Sequence, residues 1–531
     1  MLYEKGIPAE YKTLVVVPII LQSSESLSDE IERLEIRYLG NTDPLLTFAL
    51  FSDFLDAKQQ YLESDEALLK QVIEGIQALD KKYGPNKFFL FHRQRTWSPC
   101  ENAWIGWERK RGKLECLNRF LFGESMPENI VYSGNAEALK GIRFVITLDA
   151  DTQLLKDKAR ALIEVLAHPL NRPYLSKDKK SVERGFTIIQ PRTASDFLQA
   201  KASWFARIFS DATTVDPYTQ AISNIYQDLD GEGCYHGKGI YDLEAFHGIL
   251  SGHFPEEHLL SHDLIEGAFV RVGFAGNICL YDIHPKNYFI WSNRQHRWIR
   301  GDWQIINWLR NFVPTGNGKI EANPLTWFNR WKIFDNLRRS LLPVALLGLL
   351  FTAWIYSPNY KMWTGISLLV LLIPSISLVL NRSGIISYEE IKLIFSEFKF
   401  SILRWLVNVA LLPYEAYTSL DAIIRVAYRK GISKQNLLQW TPCEHVEGHS
   451  KKHRRFVFHL TWVSVFAVVA FLIVCQATPH ACWIALPFCL LWLFAPGIVH
   501  LLDKPISPNV IDTIGIQDQE MLRKLGRKTW R

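Results

Sequence analysis

Two aspartates stand one residue apart at the end of an apolar run, in "GIRFVITLDADTQLL", Gly141 to Leu155. Aspartate is a poor strand residue and costly to bury without a partner, yet Asp149 and Asp151 follow Phe144-Val145-Ile146-Thr147-Leu148 directly. Side chains alternate along an extended segment, so the two carboxylates point the same way. Two carboxylates on one spot repel, and a hard cation such as Mg²⁺, held by one or two carboxylates plus substrate phosphates, removes that penalty. The pattern suits a nucleotide-diphosphate site. It also suits a capped turn at the end of a buried strand.

Other residues add to the picture. Asp53 ends a second apolar run, "LLTFALFSDF", and "EEHLLSHDLIEGAFVRVGF" places Asp263 after a polar turn and ahead of a helical pattern, where a helix cap is an equal reading. In "NRQHRWIRGDWQIINWL", Arg294, Arg297, Arg300, Trp298 and Trp303 crowd into one short element. Arginine forks match phosphate oxygens and tryptophans stack on sugar faces, although a snorkelling face beside a membrane has the same composition.

These residues need a frame. "KTLVVVPIILQ", "LLTFALFSDF", "KFFLFHRQ" and "FVITLDAD" read as strands; "SLSDEIERLEIRYLGN", with Ser26 or Ser28 as cap and Gly40-Asn41 as stop, and Glu63 to Lys82 read as helices. Alternating strands and helices imply an α/β domain with a parallel sheet, whose ligands bind beyond the carboxyl ends of the strands. Asp53, Asp149 and Asp151 sit at such ends.

The 531 residues are too many for one ordinary domain, and the character of the chain changes near residue 335. Beyond it, Leu341 to Ser357, Met362 to Asn381, Phe456 to Ala477 and Trp483 to Leu502 are each close to the roughly 20 residues that cross a bilayer. Phe400 to Tyr428 carries Arg404, Glu415, Asp421 and Arg425 and is interrupted by Pro413, which suggests a kinked helix at the membrane interface. The expected division is therefore 1–335, an α/β domain; 336–505, transmembrane and interfacial helices; and 506–531, a tail.

Basic residues set the orientation. Arg338-Arg339, the cluster Arg425, Arg429, Lys430, Lys451, Lys452, Arg454 and Arg455, and Arg523 to Arg531 all flank spans. On that rule they and the α/β domain lie in the cytoplasm. The net charge of +6 is mild and concentrated at span ends, which points to lipid rather than nucleic acid. The 8 cysteines form no CxxC pair and no metal-like spacing with histidine, so they are read as free thiols.

In this order the motifs resemble those of membrane-embedded, processive family-2-type glycosyltransferases of the GT-A (Rossmann-like) fold: Asp53 in "LFSDF", Asp149 and Asp151 in "DAD", Asp263 in "SHDL", and Arg297-Trp298 in "RQHRW". Two positions depart from the pattern, His262 where an acidic residue precedes the base and Arg294 where a glutamine stands. "LEIRYLGNTDPLLTFALFSDFLDA", "WERKRGKLECLNRFL", "GKGIYDLEAF", "LLSHDLIEG", "RQHRWIRGDWQ", "LLPYEAYTSLDAI" and "LWLFAPGI" resemble the glycosyltransferase portion of bacterial cyclic β-1,2-glucan synthases.

The resemblance implies transfer of glucose from UDP-glucose to the 2-hydroxyl of a growing β-1,2-glucan, with inversion, at the cytoplasmic face of the bacterial inner membrane. It implies Asp263 as general base, and Asp53, Lys110, Asp149, Arg297 and Arg300 as donor-binding residues. It further implies Asp151, with Asp149, as ligands of Mg²⁺ or Mn²⁺, and Trp298 as the surface for the acceptor sugar. Family members are primed on one of their own tyrosines, for which Tyr83 in "KKYGPNKFF" is the expected residue. They also carry further helices before this region and a phosphorylase-like domain after it, so missing domains or a separate phosphorylase-like subunit are expected partners. A synthase of another or linear β-glucan, and a silent scaffold for glycan export, remain alternatives.

Overall fold

The computed structural model describes residues 3, 6–177, 181–196, 202–210, 224–380, 388–440, 456–506, 520–521 and 524. Cys443, the basic stretch from Lys451 to Arg455, Asn381 and nearly all of the tail lie outside the described residues.

Nine strands form the central sheet: β1 (Thr13–Leu21), β2 (Leu46–Phe54), β3 (Phe88–Arg93), β4 (Ile130–Ser133), β5 (Phe144–Thr147), β6 (Thr152–Gln153), β7 (Ile188–Ser195), β8 (Gly239–Asp242) and β9 (Val272–Asp282). Their order is β4-β3-β2-β1-β5-β8-β7-β9-β6. The four strands expected from the sequence, β1, β2, β3 and β5, are mutually parallel. β8 joins this half to the parallel pair β7 and β9 through two antiparallel pairings. The fold is therefore α/β and Rossmann-like, as expected.

Helices on both faces explain why β2 is buried at every position. Side chains alternate between two apolar layers. Val15, Val17, Phe48, Leu50, Phe88 and Leu90 face the layer formed with α1 (Ser24–Gly40), α2 (Asp65–Tyr83) and the later helix α4 (Lys158–Ala167). Val16, Ala49, Phe51, Phe89 and Phe91 face the other, with α3 (Arg109–Leu121). α1 begins one turn earlier than its expected caps: Ser23 accepts from the Ser26 amide.

After two short helices, Trp204–Phe209 and Ile225–Asp230, come α5 (Leu243–Leu250), α6 (Asp263–Val270), α7 (Tyr288–Gln304), α8 (Trp327–Tyr356), α9 (Tyr360–Leu380), α10 (Tyr388–Tyr428), α11 (Thr461–Ala477), α12 (Cys482–Leu493) and α13 (Ala495–Leu502). The boundary placed at 335 falls inside α8. Its first turns belong to the sheet domain, for Lys332 Nζ donates to Glu232 O at 3.2 Å and Gly233 O at 2.9 Å, and Asn329 Nδ2 donates to Ala268 O at 3.1 Å.

Among the described residues, two helices, Trp327–Tyr356 and Phe456–Ala477, are long and apolar enough to cross a membrane, and a third span results if Pro479–Leu493 and Ala495–Leu502 count as one. That last pair is bent by 48°, so the continuous span expected over Trp483 to Leu502 is instead broken at Phe494. α9 covers the remaining expected span, although its described apolar part ends at Ile373. α10 runs through Pro413 as one helix of 41 residues, so the segment is not broken there. Leu411, Leu412 and Tyr414, buried in the helical core on both sides of the proline, hold the helix together there.

Candidate functional site

The Asp-Ala-Asp turn follows β5 and leads into β6, which pairs antiparallel with the end of β9. Arg37 of α1 fixes the turn by donating to Ala150 O at 2.7 Å and to Thr152 O at 2.9 Å. Because Thr152 sits opposite Asp282, the register delivers a third acid, and Thr152 Oγ1 donates to Asp282 Oδ1 at 2.7 Å.

The two aspartates of the turn then differ. Asp149 meets two lysines: Lys110 Nζ lies 2.5 Å from Oδ1 and Lys238 Nζ 2.9 Å from Oδ2. Lys238 also reaches Asp282 Oδ2 at 2.6 Å. Burial raises the Asp149 carboxyl, but Lys110 and Lys238 outweigh it and hold the group below the usual carboxylate range. Asp151 moves the other way. Burial, Asp282 and Asp149 push it up against Lys238 and Arg294, whose guanidinium stands 3.8 Å away.

Lys238 reaches these acids because it lies between two glycines in the left-handed half of backbone space. Gly237 has φ +80°, and a Cβ there would stand 2.6 Å from Asp263 Oδ1. Gly239 has φ +148°, and its Cβ would meet Ile189 O at 2.4 Å. Only glycine fits both conditions.

Asp53 is opposite Arg93 in the β2–β3 register, which produces a fork: Nε donates to Oδ1 and Nη2 to Oδ2, each at 2.9 Å. Lys113, one turn after Lys110 on α3, adds a contact at 3.2 Å. Burial alone would raise the Asp53 carboxyl; Arg93 and Lys113 bring it below its usual value. Burial lowers Lys113 to about 8 despite Asp53. A Cβ on Gly106 would lie 2.3 Å from Asp53 Oδ2, so this carboxylate is walled in.

Asp263 is the first residue of α6, and its Oδ1 is buried without a hydrogen-bond partner, so its side chain does not cap the helix. Across from it, α7 presents Arg294, whose guanidinium lies 5.9 Å from the Trp298 ring centroid, and Arg297, 5.5 Å from that of Trp440.

A single cavity of about 970 Å³ is lined by Asp53, Lys110, Asp149, Asp151, Lys238, Asp263, Asp282, His284, Arg294, Arg297 and Trp298. Beyond Trp298 it continues along Leu342 and Leu346 of α8 and Arg404, Asn408, Glu415, Thr418 and Ser419 of α10. The segment after α10 is strapped to the sheet domain: Leu438 N donates to Glu101 Oε1 at 2.6 Å and Gln304 Nε2 to Leu437 O at 2.9 Å.

Three residues singled out in the sequence are not brought to this cavity. Trp303 donates from Nε1 to Ser340 Oγ at 2.9 Å. Arg300 turns toward the strap, donating from Nη2 to Gln439 O at 2.9 Å, and burial lowers it to about 10. Tyr83 ends α2 at the opposite end of β3 from Arg93; its hydroxyl donates to Glu35 Oε1 at 2.5 Å and its ring packs on Tyr38 and Phe88. Priming at Tyr83 is therefore set aside, because the sheet separates it from the strand ends.

Other residues of the site escaped sequence reading. Arg93, Lys113, Lys238, Asp282 and His284 reach it through strand register and crossing points that spacing along the chain does not reveal. The signals available were charges at strand ends in "FHRQ" and "YDIHP", and the Gly-Lys-Gly tripeptide.

A divalent cation fits the residues present. Asp282 helps to raise the proton affinity of Asp151, and His284 Nε2 is buried without a hydrogen-bond partner at the same strand end. The carboxylate oxygens suit Mg²⁺ or Mn²⁺. His262, Asp263 and Glu266 also offer three ligand atoms within 4.8 Å of one another, but His262 and Glu266 already face each other at 2.8 Å.

A Rossmann-like half-sheet with acids at its strand ends, continued by antiparallel β8 and a helix carrying arginine and tryptophan, is the layout of a GT-A domain. The chain is similar to the cyclic beta-(1,2)-glucan synthase NdvB of Rhizobium meliloti (strain 1021), with 33% identity over 540 residues, covering 99% of this chain and 19% of that protein. It thus spans about one-fifth of that relative's length. Among solved structures, S. aureus TarS 1-349 matches at 11% identity and a TM-score of 0.33, covering 79% of this chain and 92% of that one. The same fragment in complex with UDP matches at 10% identity and a TM-score of 0.33. No family model matches.

Proposed function

We propose that this chain is an inverting glucosyltransferase that moves glucose from UDP-glucose to the 2-hydroxyl of a growing β-1,2-glucan, as the synthase part of a cyclic β-1,2-glucan system. The observation that carries the reading is the meeting of Asp53, Asp149, Asp151 and Asp263, from remote parts of the chain, in one cavity. The 33% identity along 99% of the chain to a relative of which it covers 19% supports the choice of glucan.

In-line displacement at the anomeric carbon needs a carboxylate to take the acceptor hydroxyl's proton, and Asp263, with one oxygen free of hydrogen bonds, fills that role. Asp53, fixed by Arg93 and Lys113, shapes the uridine end. Lys110 and Lys238, aligned by Asp149, supply positive charge beside the diphosphate, joined by Arg294 and Arg297. A cation would be held by Asp151 and Asp282, with His284 close by along the chain, and when bound it neutralises the charge that develops on the leaving UDP. Trp298 offers its ring to the acceptor sugar. The apolar helices support a location in the bacterial inner membrane, and the basic residues flanking the spans support a cytoplasmic sheet domain.

Membranes carrying the chain, given UDP-glucose and Mg²⁺, are expected to release UDP and build a glucan whose linkage analysis shows 2-linked glucose. A product with another linkage would overturn the glucan assignment; the absence of any sugar transfer, with the full set of its relative's domains supplied, would overturn the enzyme.

A further inference from the structure

The turn that carries Asp263 holds a second acid that the transfer reaction does not use. Glu266 lies one turn along α6 and is only 5% exposed. A buried carboxylate without a counter-charge is costly, and two acids on one helical turn share a proton unless a cation separates them. His262, itself 6% exposed, is placed between them: its Nδ1 lies 2.8 Å from Glu266 Oε2 and 3.6 Å from Asp263 Oδ1. This is the position where the resemblance leads one to expect an acid.

We propose that His262 is a positioning residue for the base: as an imidazolium shared between Glu266 and Asp263, it neutralises Glu266 and keeps the Asp263 carboxylate free of a proton. The inference rests on Asp263 being the base. With a histidine at 262 and an acid at 266, the imidazole between Glu266 and Asp263 keeps the turn close to neutral apart from Asp263 itself.

The surroundings agree. Burial works against a charged His262, but Glu266 and Asp263 outweigh it and raise the imidazole above its ordinary value, with Lys110 of α3 as the opposing charge. Tyr235, ahead of β8, faces both acids; burial and those two carboxylates raise its hydroxyl well above the usual range, so it adds no charge. α7 meets this turn through Gly301, whose Cβ would stand 2.4 Å from Ser261 Cβ, and α8 reaches α6 through the neutral amide of Asn329.

The test is the pH profile of kcat/KM for glucan synthesis by the full chain in membranes, read as UDP release. His262→Gln leaves Glu266 and Asp263 to share a proton, so the acidic limb moves up by at least about one pH unit, a loss of roughly tenfold on that limb that fades at higher pH. His262→Gln combined with Glu266→Gln removes both charges and brings the limb back toward wild type. A purely structural histidine would lower activity at every pH and would not be rescued.

Should His262→Gln fail to fold, Glu266→Gln alone decides the matter. Asp263 then faces only the imidazolium, and the limb moves down. An unmoved limb in His262→Gln, or no return in the double variant, overturns the proposal, as does an unmoved limb in Glu266→Gln. Full activity of Asp263→Asn would instead overturn the base assignment on which the proposal stands.

Discussion

On the sheet side of the cavity, charges are locked by backbone register. Asp53 faces Arg93 across β2 and β3, and Asp282 faces Thr152 across β9 and β6. Asp149 is clamped by Lys110 and Lys238. On the helical side the same cavity is bounded by Trp298 and Trp291, ring centroids 6.0 Å apart at 90°, and by apolar residues of α8. Under the proposed function, the difference divides the labour between the two walls. A leaving diphosphate needs charges that do not move as the bond breaks, and a sheet supplies them. An acceptor that advances by one sugar per cycle needs a surface that holds it without fixing it, and aromatic rings do so.

This contrast can be broken at four points. Asp263→Asn removes the one group assigned to proton transfer and should lower UDP release with acceptor present by roughly 10²–10⁴-fold, the span for a lost general base. Asp151→Asn, or chelation of the wild type, should cost about 10²–10³-fold. Added Mn²⁺ or Mg²⁺ should restore the chelated wild type but not the variant, and equal recovery would remove Asp151 from the cation site. Arg93→Leu leaves the buried Asp53 carboxylate with Lys113 as its remaining counter-charge and should destabilise the fold by about 3 kcal/mol, the low end of the range for a broken buried pair, read as a lower Tm. Trp298→Ala should raise the acceptor KM by about tenfold or less and leave the donor KM unchanged, since ring stacking is worth about 0.5–1.5 kcal/mol. A larger effect on the donor would erase the division between the two walls.

The parallel half of the fold was legible because its strands and helices obey simple periods: the four expected strands appear, and α1 and α2 begin and end within a few residues of the expected positions. Asp53, Asp151 and Asp263 were legible because aspartate is out of place at the end of an apolar run or ahead of a helix. The partners of those residues were not. Arg93 finds Asp53 only through strand pairing, and Lys238 reaches Asp149 only because two glycines bend the chain there. Arg300 looked equivalent to Arg297 in sequence, yet the strap after α10 takes it away from the cavity. In sequence Tyr83 stands just ahead of a Gly-Pro pair, and the direction of β3 puts it at the far end of the sheet. Pro413 failed to break α10 because packing on both sides outweighs one lost hydrogen bond.

The most direct test of a shared cavity with divided roles is the binding of UDP, in the presence of Mg²⁺, to the wild type, Asp263→Asn and Asp151→Asn by calorimetric titration. The account predicts that Asp263→Asn binds UDP as the wild type does although it cannot transfer, while Asp151→Asn loses binding. Loss of UDP binding in Asp263→Asn, or unchanged binding in Asp151→Asn, would contradict it.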